Sequence, residues 1–142
     1  MKTGNSIDEM RQWFKDERRN GDGKKSYSIA KELLKHKDAE LSDFFSAGEL
    51  ALRLHLFSDV VSHLSEVIRL SENLGEEYYL DQSYFWRAYS QYKVKEFGLA
   101  IKDLEMIKEK NNVFYVYSVI PEKEVFEYGV QDLVDMIKAA DV

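Results

Sequence analysis

The sequence predicts an all-α fold of about seven helices, arranged as stacked antiparallel helix pairs. Three observations predict it. First, residues 44–107 read as one helical hairpin written twice. A shift of forty residues lays Phe44 on Tyr84, Phe45 on Phe85, Gly48 on Ala88, Phe57 on Phe97, Val60 on Ala100, Leu64 on Leu104 and Val67 on Ile107. Small falls on small and bulky on bulky, the pattern of helix pairs that bury their apolar faces on one another. Second, the 142 residues include one proline and seven glycines, so few positions break a helix. Third, apolar residues outside the repeat recur at three- and four-residue spacing, which on a helix is a single face. The chain reads as one helical-repeat domain over 1–142: a basic hairpin at 1–37, the two repeated hairpins at 38–110, and an extended segment with a capping helix at 111–142.

Each element has a local reason. Ser6 and Glu9 form a capping box, and Ile7, Met10, Trp13 and Phe14 then share a face. Gly21-Asp22-Gly23 ends that helix, and Ser26 or Ser28 is expected to cap the next, with Tyr27, Ala30, Leu33 and Leu34 inward. Asp38 or Ser42 is expected to open the third helix. Gly48 in mid-helix costs about 1 kcal/mol relative to alanine, a cost kept where a neighbouring helix comes close. Ser58 is expected to cap the fourth helix after a bend at Phe57, and Gly75 stops it. The fifth helix, about 78–94, carries seven aromatics, more than one buried stripe holds. The sixth follows a bend at 95–97 and runs to about Lys110. Residues 113–120 are β-branched and aromatic, so they are a strand by propensity, or an extended segment lying across helices if no second strand exists. Pro121 then opens the last helix, with Phe126, Val130, Leu133, Val134 and Ile137 on one face.

Charge is unevenly distributed. The net charge is −6, yet residues 1–37 hold ten Lys/Arg against six Asp/Glu, and residues 38–142 hold ten against twenty. An acidic body disfavours nucleic acid, whose phosphates need a cationic footprint, and favours a basic protein, whose approach it steers. There is no cysteine, which removes disulfides, thiolate catalysis and thiolate metal sites. No apolar run approaches the roughly 20 residues of a membrane span. No apolar stretch follows the first residues, so no secretory signal is expected and the chain reads as cytoplasmic.

Few side-chain patterns suggest chemistry. His55, Asp59 and His63 stand four apart, but the expected bend between them separates the three as metal ligands. No serine sits in a Gly-x-Ser-x-Gly context, and Gly21-Asp22-Gly23-Lys24 has the spacing of neither nucleotide loop. Arg18-Arg19 with Lys24-Lys25, and Glu76-Glu77, read as surface charge. No catalytic residue, metal or cofactor is expected.

The segment 84–92 followed by 97–101 resembles a tetratricopeptide repeat. Ala88, Phe97 and Ala100 fill that family's small, aromatic and small positions, and Gly48, Phe57 and Val60 fill them in the earlier copy. Arg87 and Gln91 stand where the family is usually apolar or aromatic, the closing proline is replaced by Glu72 and Asn112, and forty residues exceed the family's thirty-four. The resemblance implies a right-handed α-solenoid whose first helices line a groove for a peptide or protein segment. Carried over, the groove residues are Ser42, Phe45, Glu49, Leu52 and Arg53 from one helix, and Gln82, Phe85, Tyr89, Tyr92 and Lys93 from the other. The expected function is that of a non-enzymatic protein-binding module. Within that class it is a small acidic inhibitor or immunity-type protein against a basic toxin or nuclease. The alternatives are a tetratricopeptide-type adaptor or secretion chaperone, and a domain responsive to peptide or nucleic acid.

Overall fold

The computed structural model describes residues 6–118 and 124–142. Among these are seven helices: α1 (Ile7–Arg19), α2 (Gly23–Leu33), α3 (Leu41–Arg53), α4 (Phe57–Leu74), α5 (Leu80–Lys93), α6 (Phe97–Met106) and α7 (Val130–Ala140). Two strands, β1 (Val113–Tyr117) and β2 (Val125–Gly129), stand between α6 and α7. The helices pack chiefly on their sequence neighbours.

Three of the connections are one turn used three times. Asn20–Asp22, Leu54–Leu56 and Val94–Glu96 each join a helix to the next through a central residue in left-handed backbone: Gly21 (φ 82°), His55 (58°) and Lys95 (66°). The hydrogen bonds match as well. Asp22, Leu56 and Glu96 donate to the carbonyls of Glu17, Ala51 and Gln91 at 3.2, 2.9 and 2.8 Å, the six-to-one bond of a Schellman ending. So short a turn between packed helices sets them antiparallel. The first pair, whose side chains do not show the forty-residue pattern, therefore belongs to the same series by its backbone. The step from Gly21 to His55 is thirty-four residues and the step from His55 to Lys95 is forty. The added length falls mainly in α4, with 18 residues against 11 in α2.

Side-chain packing follows the repeat. Ala88, Ala100, Val60, Leu64 and Val67 are fully buried. A Cβ built on Gly48 would come within 2.6 Å of Leu64 Cδ2, which explains the glycine: α3 and α4 touch there. Arg87, at an apolar position of the repeat, reaches from α5 to the largely buried Asp103 on α6. Its Nε and Nη2 donate to the two carboxylate oxygens at 2.7 and 2.6 Å, and Nη1 donates to Ser65 Oγ on α4 at 3.0 Å. One guanidinium fork thus joins three helices where the repeat otherwise uses an apolar contact.

Several expected boundaries shift, each for a visible reason. Asp22, not Ser26 or Ser28, caps α2, accepting the Lys25 N–H at 2.9 Å, while Ser26 is buried with its hydroxyl on the Asp22 carbonyl. Glu40 precedes α3, and its N–H donates to Asp43 Oδ2 at 2.8 Å. Ser58 lies inside the first turn of α4 rather than before it. Helix α6 stops at Met106 because the Lys110 ammonium folds back on the carbonyls of Leu104 and Glu105, and Asp81 accepts the Lys108 and Glu109 N–H groups at 3.0 Å.

The largest correction is at the C-terminal end. The fold is not all-α: β1 and β2 form an antiparallel hairpin with Val113 opposite Gly129 and Tyr117 opposite Val125. The expected last helix covers 125–129 with helical residues, but these are strand, and α7 begins at Val130. Pro121 lies outside the described residues. Backbone polar groups explain the outcome, because an extended segment needs a hydrogen-bonding partner along its length. Leu133 and Ile137 are buried as the helical spacing implies, and α7 packs on α5, α6 and β2.

Candidate functional site

The residues singled out for a groove lie on α3 and α5, and these helices do share a face. It has two halves. Over the C-terminal half lies the protein's own β-hairpin. Phe85 is wholly buried, stacked on Phe114 with ring centres 4.5 Å apart. Tyr89 is 6% exposed and stacks on Tyr128 of β2. Burial, with the neighbouring Tyr128 and Tyr92 phenols, pushes the Tyr89 hydroxyl up to about 12. Two side chains, one from α5 and one from the α3–α4 turn, hold the backbone of β1: Trp86 Nε1 donates to the Tyr115 carbonyl at 2.8 Å, and His55 Nε2 donates to the Tyr117 carbonyl at 2.7 Å. The Arg53 guanidinium lies 3.8 Å above the Tyr117 ring. Phe85 and Tyr89, expected among the accessible aromatics, therefore face the chain's own extended segment.

Glu49 is also engaged within the chain. Its carboxylate takes Arg18 Nη1 at 2.8 Å and lies 3.7 Å from Arg53 Nη2. Arg11 likewise grips Asp43 through Nε and Nη2 at 3.0 and 2.7 Å, and this pairing, against the cost of burial, pushes the guanidinium above its usual range. Part of the opposition between a basic first hairpin and an acidic body is thus the contact between α1 and α3. Leu52 is in the core. Gln82 and Tyr92 are half-buried, and Lys93 is exposed with its ammonium 5.5 and 5.9 Å from the Tyr89 and Tyr92 ring centres.

The N-terminal half of the face is open. Ser42 is exposed and lines two clefts. One, of about 370 Å³, lies between α1, α2 and α3 beside Arg11, Phe14 and Asp43. The other, of about 740 Å³, is bounded by Leu41 of α3, Leu70 and Leu74 of α4, and Tyr78 and Tyr79. Leu74 is 70% and Tyr78 is 81% exposed. A ladder of rings leads from this cleft to the hairpin. Tyr78 meets Tyr79 at 4.9 Å, Tyr79 meets Phe45 at 4.4 Å, Phe45 meets Trp86 at 5.3 Å, and Trp86 holds β1. The surplus aromatics of residues 78–92 are thereby divided: most are covered, and Tyr78 stands free in solvent.

The cleft residues Leu70, Leu74 and Tyr79 were not singled out by sequence. The available signal was the extra length of the second repeat, which falls beside them. Gly75 (φ 66°) reverses the backbone after α4 and leads directly into Tyr78 and Tyr79. The three residues weighed as metal ligands do not converge. His55 is in the α3–α4 turn on the Tyr117 carbonyl, whereas Asp59 and His63 meet at Tyr27. The Tyr27 hydroxyl donates to Asp59 Oδ2 at 2.7 Å and accepts from His63 Nε2, also at 2.7 Å, because it has one proton to give. Burial holds His63 below its usual value, with Asp59 opposing and Lys31 assisting. This network ties α2 to α4.

No protein-family model matches the chain, and no curated protein matches it. Among the described residues no helix is long and apolar enough to cross a membrane.

Proposed function

We propose that the chain is a non-enzymatic protein-binding module of tetratricopeptide-like build, and that its acidic body holds a basic partner protein. The observation that carries this reading is the solvent-exposed pair Leu74 and Tyr78, set in a surface of carboxylates. Glu40 and Glu76 line the cleft, and Glu72, Glu77 and Asp81 line a smaller one, where Lys108 pairs with Glu77. Large exposed apolar side chains grouped together mark interaction sites, and a carboxylate frame selects for positive charge. The thirty-four-residue first step, the shared turn geometry and the small residues at helix crossings support the resemblance, and with it a right-handed stack. Within the class, a small inhibitor or immunity-type protein that blocks a basic toxin or nuclease fits the size and charge.

A second reading, an adaptor or secretion chaperone, draws on a different observation. The α3–α5 face already holds an extended segment, its own β1, through ring stacking and side-chain bonds to backbone carbonyls. The same chemistry suits an extended segment of a client.

Immobilised protein presented with lysate of its host is expected to retain a basic protein, and retention should fall as salt rises from roughly 0.05 M to roughly 0.5 M, where surface charge is screened. Retention of only nucleic acid or acidic proteins would defeat the first reading. Release of β1 from α5 in the bound state, seen as faster amide exchange at Phe114 and Val116, would favour the second.

A further inference from the structure

We infer that the cleft between the start of α3, the end of α4 and Tyr78–Tyr79 receives one large apolar side chain of the partner, flanked in the partner's sequence by Lys or Arg. This rests on the reading of the protein as a binding module and specifies its site.

The shape comes first. The floor and walls are Leu41, Leu70, Leu74 and Tyr79, and Tyr78 forms the rim. Tyr79 is held from behind by Phe45, and Phe45 by Trp86, so that wall is a stacked set of rings rather than a mobile side chain. A rigid aromatic wall loses little conformational entropy when a ligand arrives. At about 740 Å³ the cleft is within the range that holds a bulky side chain and its neighbouring backbone.

Charge then selects the occupant. Among the described residues, the charged side chains lining the cleft are Glu40 and Glu76, with no Lys or Arg. Glu40 is exposed and shares Arg11, 3.7 Å away, with Asp43, which takes the guanidinium fork, so its charge is only partly offset. Glu76 is exposed, and its Oε1 accepts only from the Tyr78 N–H among the recorded bonds, which fixes its place without neutralising it. Phosphate backbones and anionic membrane surfaces are repelled by such a rim. A second copy of the chain is disfavoured too, because a two-fold contact would set these carboxylates against themselves. An apolar anchor with basic neighbours satisfies both the walls and the rim.

The test uses three fluorescein-labelled peptides and fluorescence anisotropy. The sequences are Lys-Lys-Trp-Leu-Lys-Lys, its counterpart with glutamate in place of lysine, and Lys-Lys-Ser-Ser-Lys-Lys. The first is expected to bind at least about tenfold more tightly than the others, since both the anchor and the charge contribute. The double variant Leu74→Ser, Tyr78→Ser should lose that binding by about tenfold or more, with circular dichroism unchanged because both side chains are exposed. The double variant Glu40→Gln, Glu76→Gln should weaken it about threefold to tenfold and flatten its salt dependence. Absence of binding, equal binding of the glutamate or serine peptide, or binding untouched by Leu74→Ser, Tyr78→Ser overturns the inference. The two levels separate in the lysate experiment. A basic protein still retained by the Leu74→Ser, Tyr78→Ser variant removes this cleft and leaves the basic-partner reading, while no basic protein retained by the wild type removes that reading itself.

Discussion

Phe45 and Phe85 hold equivalent positions in successive helix pairs, forty residues apart, yet they meet different fates. Phe85 is sealed under Phe114, whereas Phe45 is half-buried in a ring ladder that ends in solvent at Tyr78. The same split runs through neighbouring pairs of positions. Glu49 is locked between Arg18 and Arg53, while its counterpart Tyr89 lies beneath Tyr128. His55 and Lys95 share one backbone conformation, but only His55 has a recorded bond to the hairpin. Repetition in a sequence therefore sets backbone and residue type. Access to solvent is decided by whatever non-repeated segment is laid on top.

Substitution can break the comparison at its strongest contrast. Phe85→Ala is expected to cost about 3–5 kcal/mol by chemical denaturation, because a fully buried ring leaves a cavity, and Phe45→Ala should cost clearly less. Equal losses would mean that the hairpin does not cover the second half in solution. Trp86→Phe removes the bond to Tyr115 and some ring volume, and should cost about 1–2 kcal/mol. Its amide-exchange signature should be concentrated in β1 rather than in α3.

The turns offer a sharper contrast, in sign. Lys95→Gly relieves the left-handed strain of a side chain with no recorded role and should stabilise by roughly 0.5–1 kcal/mol. His55→Gly gains the same relief but gives up the Tyr117 bond and the ring stacked on Phe57, so its melting temperature should fall. If both variants are stabilised, His55 is no anchor. The smallest effect belongs to the open half: Tyr78→Ala should shift stability by no more than about 0.5 kcal/mol, since the ring is 81% exposed. A larger loss would show that the ladder supports the fold rather than a partner.

What was legible in the sequence was what is local. The Ser6–Glu9 box and the stop at Gly75 each depend on residues within one turn, and each is present, whereas the bend expected at Phe57 falls at 54–56 and that expected at 95–97 falls at 94–96. Of the hairpin, β1 was legible in the strand propensity of 113–120, and β2 was not. Phe126, Val130, Leu133, Val134 and Ile137 fall at helical spacing, so the alternation of Val125, Phe126 and Tyr128 was absorbed into a helix that starts later. The site was half legible. The helices that form the face could be named, but the partners of Phe85, Glu49 and Arg53 are 29, 31 and 64 residues away in sequence, beyond the reach of any spacing rule.

The two side-chain anchors of β1 also order events in time. They span 29 and 62 residues, whereas each helix pair closes through a three-residue turn. Closing a longer loop costs more chain entropy, about 0.6 kcal/mol for each doubling, so short-range pairs lead and long-range ones follow. By span, the hairpin docks after the helix pairs have closed. In a chain that folds in this order, α3 and α5 complete their shared face before β1 and β2 dock on it, and in that interval Phe85 and Tyr89 are bare. Pulse-labelled amide exchange during refolding should protect the middle of α4 before it protects Phe114 and Val116. In that early window the face is open to any extended segment that reaches it first.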